Sequence, residues 1–184
     1  MRHRWVWLCV CALVALGLGA AGPGKMTVPA YDGAGNVVPP EGYRTWVFVG
    51  TSLGLRYEGE GASPEGPGSF HNVYIQPEAY DQFIKTGVFP EKTILAMEVY
   101  SAGTKEPKSG LTGGWFSDRL TGFSAAIKDK ERFPEGWGYV SFTRGGSAMQ
   151  RAAAPFAKSQ CYDCHREHGA TDNVFTQFYP LLRR

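Results

Sequence analysis

Short apolar runs rich in β-branched and aromatic residues recur through the middle of the chain, separated by turn residues. That pattern favours strands, because branched and aromatic side chains pack well on a pleated, half-buried surface. Strands are predicted over residues 45–50, 70–75, 93–100, 122–128 and 138–142. Residues 58–69 and 101–114 carry clustered Gly, Pro, Ser and Lys and read as long surface loops. Helical signals are fewer. Pro77-Glu78-Ala79 opens a segment carrying Tyr80, Phe83 and Ile84 that stops at Gly87, with proline in the first turn and glycine at the end. A second helix is expected over residues 148–157, broken by Pro155, and a third over residues 161–168, ended by Gly169. Thr171 or Asp172 is placed to cap a last helix running to Phe178, before Pro180. There is no internal repeat. The expected class is α+β: a β-rich body followed by a helical C-terminus.

The N-terminus follows a different pattern. Arg2 and Arg4 precede an apolar stretch over residues 5–18, and small residues follow at Gly19, Ala20 and Ala21. Positive, apolar and small in that order is the pattern of a secretory signal peptide over residues 1–21, cleaved after Ala20 or Ala21. The apolar run is short for a spanning helix and meets Gly22-Pro23-Gly24 at once, so an uncleaved anchor is the lesser alternative. Residues 22–39, rich in Gly and Pro, read as an extended arm, and residues 40–184 as the single functional domain.

Losing the leader changes the charge. The whole chain has 19 basic and 17 acidic residues; without Arg2 and Arg4 the two signs balance at 17 each. A protein near neutrality has no electrostatic case for nucleic acid or an anionic membrane surface. The leader also takes Cys9 and Cys11, leaving Cys161 and Cys164. About 160 residues then remain, enough for one domain with a substantial core.

Those two cysteines stand in Cys161-Tyr162-Asp163-Cys164-His165. This is the C-x-x-C-H arrangement by which haem c is attached: each thiol adds across one vinyl group, and the histidine is placed beneath the iron as proximal ligand. Two other readings fit less well. A redox C-x-x-C normally accompanies a βαβ pattern, which is missing here. A zinc site would have to recruit Cys161, Cys164, His165 and His168, and the two histidines are too close in sequence to resemble the usual split pairs. One covalently bound haem c is therefore expected, and it agrees with export, since covalent attachment takes place outside the cytoplasm. Small electron-transfer cytochromes carry the motif near the N-terminus and draw a methionine ligand from downstream; here residues 166–184 contain none. Four-helix haem proteins need long heptad-like helices, also missing. The distal side must come from upstream strands.

The run CYDCHREHGATDNVFTQFYPLL resembles the cytochrome P-460 family, which includes the cytochromes c-prime-beta. The matching elements are the haem motif, Asp172, Val174-Phe175-Thr176 and Phe178-Tyr179-Pro180; upstream, GYRTWVFVG, VYIQPEAY, KTGVF and KDKERF fall in the family's order. The resemblance covers residues from about 40 to the end. It implies a mainly antiparallel sheet with flanking helices, haem between the sheet and the C-terminal helices, and a homodimer. The hydroxylamine-oxidising members use a lysine bonded to the haem ring and a distal carboxylate that takes up protons. Aligned on KTGVF, the lysine position falls on Met97; aligned on KDKERF, the carboxylate position falls on Ser124. A thioether is not an amine, and a hydroxyl is a poor base near neutral pH. In regular strands Lys92 and Glu98 point to the face opposite Met97, and Asp118 lies about 20 Å from Ser124.

Further distal candidates are Met97 as a sixth iron ligand or an apolar wall residue, His71 as a distal or a structural histidine, and Phe70, Phe123 and Phe142 as pocket caps or core. His168 is expected near the haem edge and Met149 in packing. The leading expectation is a periplasmic mono-haem cytochrome with His165 as its strong axial ligand, binding nitric oxide or a similar neutral diatomic in an apolar pocket. The alternatives are an oxidoreductase acting on hydroxylamine or nitric oxide, and a six-coordinate electron carrier with a redox partner protein.

Overall fold

The computed structural model describes residues 26–56, 66–104, 110, 113–144 and 148–183. The expected leader over residues 1–21 lies outside the described residues, as do the start of the arm and parts of the two expected loops.

Five strands form one antiparallel sheet in the order β1-β2-β3-β4-β5: β1 Val47–Leu53, β2 Ser69–Ile75, β3 Ile94–Thr104, β4 Trp115–Lys128 and β5 Trp137–Ser141. All five predicted strands are present. The largest difference is at β3 and β4, which continue as a hairpin through Ala102↔Ser117, Gly103↔Phe116 and Thr104↔Trp115. Local composition reads this stretch as loop, but pairing is decided by the partner strand, which satisfies the backbone whatever side chains it carries.

Helix α1, Pro77–Thr86, has Pro77 in its first turn and ends at Gly87 with φ 77°, whose N–H donates to the Phe83 carbonyl at 2.7 Å. It joins β2 to β3 and buries Ala79 and Phe83. Phe83 stacks on Phe89 with centroids 4.0 Å apart.

Alternation along the strands gives the sheet two buried faces. Val73, Ile75, Leu95 and Tyr139 pack with α1 and with Val174, Tyr179 and Leu182 of the C-terminal segment. Ile94, Ala96, Phe123, Ala125 and Val140 pack on the other side with Val37 and Ala153. The expected arm is thus docked from Met26 onward: Val37 is buried and forms a bridge with Ala153. Gln76, wholly buried, joins three segments: its amide N–H donates to the carbonyls of Thr27 and Lys92, and its oxygen accepts the Ile94 N–H. A buried amide so completely partnered avoids the cost of desolvation and holds arm, helix and sheet in register.

Two helical expectations are corrected. Residues 148–157 run extended beside β5: the Gln150 N–H donates to the Phe142 carbonyl, the Phe156 N–H to that of Tyr139, and Ala153 exchanges both backbone bonds with Val37. Pro155 removes a donor, and the segment instead covers the edge of β5. Residues 171–174 form a two-residue hairpin, Thr171↔Val174, with Asp172 and Asn173 at φ 48° and 60°; a 3-10 turn, Thr176–Phe178, follows. Asp and Asn tolerate the left-handed conformation that such a turn requires. Met149 is half exposed rather than packed.

At the far end of β4, Asp129 is 1% exposed and accepts from Lys92 Nζ at 2.6 Å and from the Tyr31 hydroxyl at 2.9 Å. Burial alone would raise its pKa, but Lys92 and Tyr31 outweigh burial and hold the carboxyl below its ordinary value. A depressed folded-state pKa gives stability that is complete above the unfolded value of about 3.9 and is lost as pH falls through the lower folded value. Asp129→Asn should therefore cost about 1–2 kcal/mol at neutral pH, one partly screened charge-assisted hydrogen bond. The acid limb of its stability curve should also be shallower below pH ~4. Denaturant unfolding at stepped pH measures both, and parallel acid limbs would contradict the assignment.

Candidate haem site

The C-terminal segment closes one face of the sheet around a cavity of about 660 Å³. On its near side lies helix α2, Tyr162–His168, opening after Cys161 and ending before Gly169, where the motif predicts it. The His165 N–H donates to the Cys161 carbonyl at 3.0 Å. In helical spacing Cys161, Cys164 and His165 share one face, and all three line the cavity. Both thiols are free, and burial pushes that of Cys161 up.

The imidazole of His165 lies between two rings, Tyr139 with its centroid 4.0 Å away and Phe175 at 4.6 Å. Its Nδ1 is 3.1 Å from the carbonyl oxygen of Asn173. A carbonyl can only accept, so Nδ1 carries the proton and Nε2 keeps its lone pair. Burial lowers the pKa of His165, against a smaller opposite effect from the Asn173 carbonyl, which favours the neutral form a metal ligand requires. The turn that presents this carbonyl is held from below. Asp172 accepts from Lys128 Nζ at 2.6 Å and from Trp137 Nε1 at 3.2 Å, and Lys128 also donates to the Phe89 carbonyl. The expected capping role of Asp172 is replaced by this anchoring.

The opposite wall is the sheet. Register places Val73, Met97, Ser124 and Ser141 side by side on adjacent strands, and all four line the cavity. Met97 and Ser124 are direct cross-strand partners. Two positions reached through separate stretches of the sequence thus meet on one wall of the cavity that the two cysteines and the histidine also line. His71 also lines the cavity, as does His168.

Three candidates fall elsewhere. Phe70 alternates with His71, outside the cavity wall, and is cross-strand partner to Leu53 and Tyr100. Phe123 and Phe142 are fully buried in the second cluster, 5.4 Å apart. Strand parity excludes Phe70 and Phe123 as caps, since each is one residue from a cavity-facing neighbour. Lys92, Glu98 and Asp118 also lie away from the cavity lining. Lys92 is paired with Asp129 and Glu131. Glu98 is buried on the other face, accepting from Tyr43 and Arg44. Asp118 lies on the exposed outer part of β4.

Arg56, Ser141, Tyr139 and Phe175 line the cavity but are missed by sequence reasoning. Arg56 follows the end of β1, where no periodicity marks its direction, and Tyr139 becomes visible only through its pairing with Ala126.

The donor set fits haem c. Two thiols and one neutral imidazole with a free Nε2 face a largely apolar cavity, its volume within the range of about 300–1,000 Å³ usual for cofactor sites. Among the described residues no cluster of three or more His, Cys, Asp and Glu could hold a bare metal ion. The family model for cytochrome P-460 matches residues 40–176. No curated protein matches the chain.

Proposed function

Because the chain belongs to the cytochrome P-460 family, a membership that implies a haem cofactor, we propose that it binds one haem c through Cys161 and Cys164, with His165 as proximal ligand, and takes up nitric oxide or a similar neutral diatomic on the Met97 side. The observation that carries this reading is the pairing of Met97 with Ser124 in the cavity that the haem motif also lines. Haem supplies an iron that binds diatomic gases and exchanges electrons. The chain supplies the rest. Asn173 orients His165 through Nδ1, Tyr139 and Phe175 enclose the imidazole, and Val73, Leu95, Met97 and Ala126 provide apolar surface that disfavours anions lacking a partner. Arg56 and His71 also line the cavity, and Ser124 brings no group that takes up protons near neutral pH.

The proposal extends to residues 1–21 as an export leader, to the periplasm as location and to a homodimer as assembly. Optical spectra of the ferric and ferrous protein, with and without nitric oxide, test the central reading. The expected result is an ordinary c-type spectrum with a high-spin ferrous form that changes on adding nitric oxide. A low-spin ferrous form that does not respond to the gas would overturn it and assign Met97 or His71 as a sixth ligand in an electron carrier.

A further inference from the structure

The carbonyl of Asn173 accepts two hydrogen bonds. His165 Nδ1 lies at 3.1 Å and the Tyr139 hydroxyl at 2.8 Å. Tyr139 also packs its ring on the imidazole, centroids 4.0 Å apart, and is 7% exposed. Asn173 sits in a hairpin closed by Thr171 and Val174, and the neighbouring Asp172 is tied to Lys128 and Trp137 on two strands.

Two donors on one carbonyl compete for the same electron density. The stronger the bond that Nδ1–H makes, the more negative charge the ring carries and the better Nε2 donates to a metal. A hydroxyl on the same oxygen weakens that bond. We propose that Tyr139 is a positioning residue that tunes the proximal ligand, its hydroxyl drawing on the Asn173 carbonyl and so moderating the electron donation of His165 to iron. The inference deepens the functional proposal and rests on its assignment of His165 as the iron's ligand. It also gives β5 a part in setting the iron's redox preference, although β5 contributes no metal ligand.

Tyr139→Phe keeps the ring and removes only the hydroxyl. In the haem-loaded protein the expected result is a stiffer iron–histidine stretch in the ferrous form and a lower reduction potential. The shift corresponds to about threefold in the redox equilibrium, or ~30 mV at 59 mV per tenfold for one electron. Placing 3-fluorotyrosine at position 139, a stronger donor of nearly the same shape, should move both readouts the opposite way, and it carries the test should the phenylalanine variant fold poorly. A merely structural role would not give shifts of opposite sign. Unchanged potential and stretch in both variants, or a potential raised by phenylalanine, would overturn the inference with His165 still bound. Absence of an iron–histidine band from the unaltered protein would instead overturn the assignment of His165, and this inference with it.

Discussion

Replacing both Cys161 and Cys164 with alanine should let acidified acetone extract the haem completely, while the unaltered protein retains all of it. The two thiols line the same cavity and are free of any disulfide. A thioether survives unfolding, whereas a bond from His165 is lost once acid protonates the imidazole. Each single variant should keep its haem through the remaining bond. Haem released from the unaltered protein, or zinc found in its place, would contradict covalent attachment. The tertiary arrangement gives the prediction a second arm. With His165 enclosed by Tyr139 and Phe175, the double variant should still take up haem under native conditions, so extraction and native binding should separate.

Hydroxylamine turnover should be slower than in a cross-linked, carboxylate-bearing site by about 10²–10⁴-fold, the usual contribution of a positioned proton acceptor. Met97 and Ser124 face the cavity as cross-strand partners, and the charged groups closest to Met97 in sequence are engaged elsewhere: Lys92 with Asp129 and Glu131, Glu98 with Arg44 and Tyr43; Lys128, four residues after Ser124, is paired with Asp172. Mass spectrometry of the haem peptide should accordingly show attachment through Cys161 and Cys164 alone. Sustained oxidation of hydroxylamine with an artificial acceptor, abolished by His165→Ala and insensitive to chelators, would show that the oxidoreductase reading is correct. A second haem-bearing peptide containing Lys92 would do the same.

The sequence by itself determined the class of fold, the position of the strands, helix α1 with its proline start and glycine stop, and the C-x-x-C-H segment on its helix. These features are written in neighbouring residues: alternation marks a strand, Pro77 and Gly87 bound a helix, and the two cysteines and histidine fall at helical spacing. The resemblance carried over from related sequences pointed to Met97 and Ser124.

What depends on residues far apart in the chain came only from tertiary structure. Residues 148–157 have helical composition but run extended, because Val37 and the edge of β5 supply backbone partners. Thr171 and Asp172 look like the cap of a helix, yet Asp172 and Asn173 form a turn anchored through Asp172 by Lys128 and Trp137, 44 and 35 residues away. Phe70 and Phe123, as pocket caps or core, stood beside His71 and Ser124 as distal candidates until register fixed which face of the sheet meets the cavity. A shift of one residue exchanges the two faces of a strand, and which of those faces meets the cavity depends on what packs against the sheet there. For the same reason the shared Asn173 carbonyl, which joins β5 to the C-terminal turn across 34 residues, had no counterpart in local sequence.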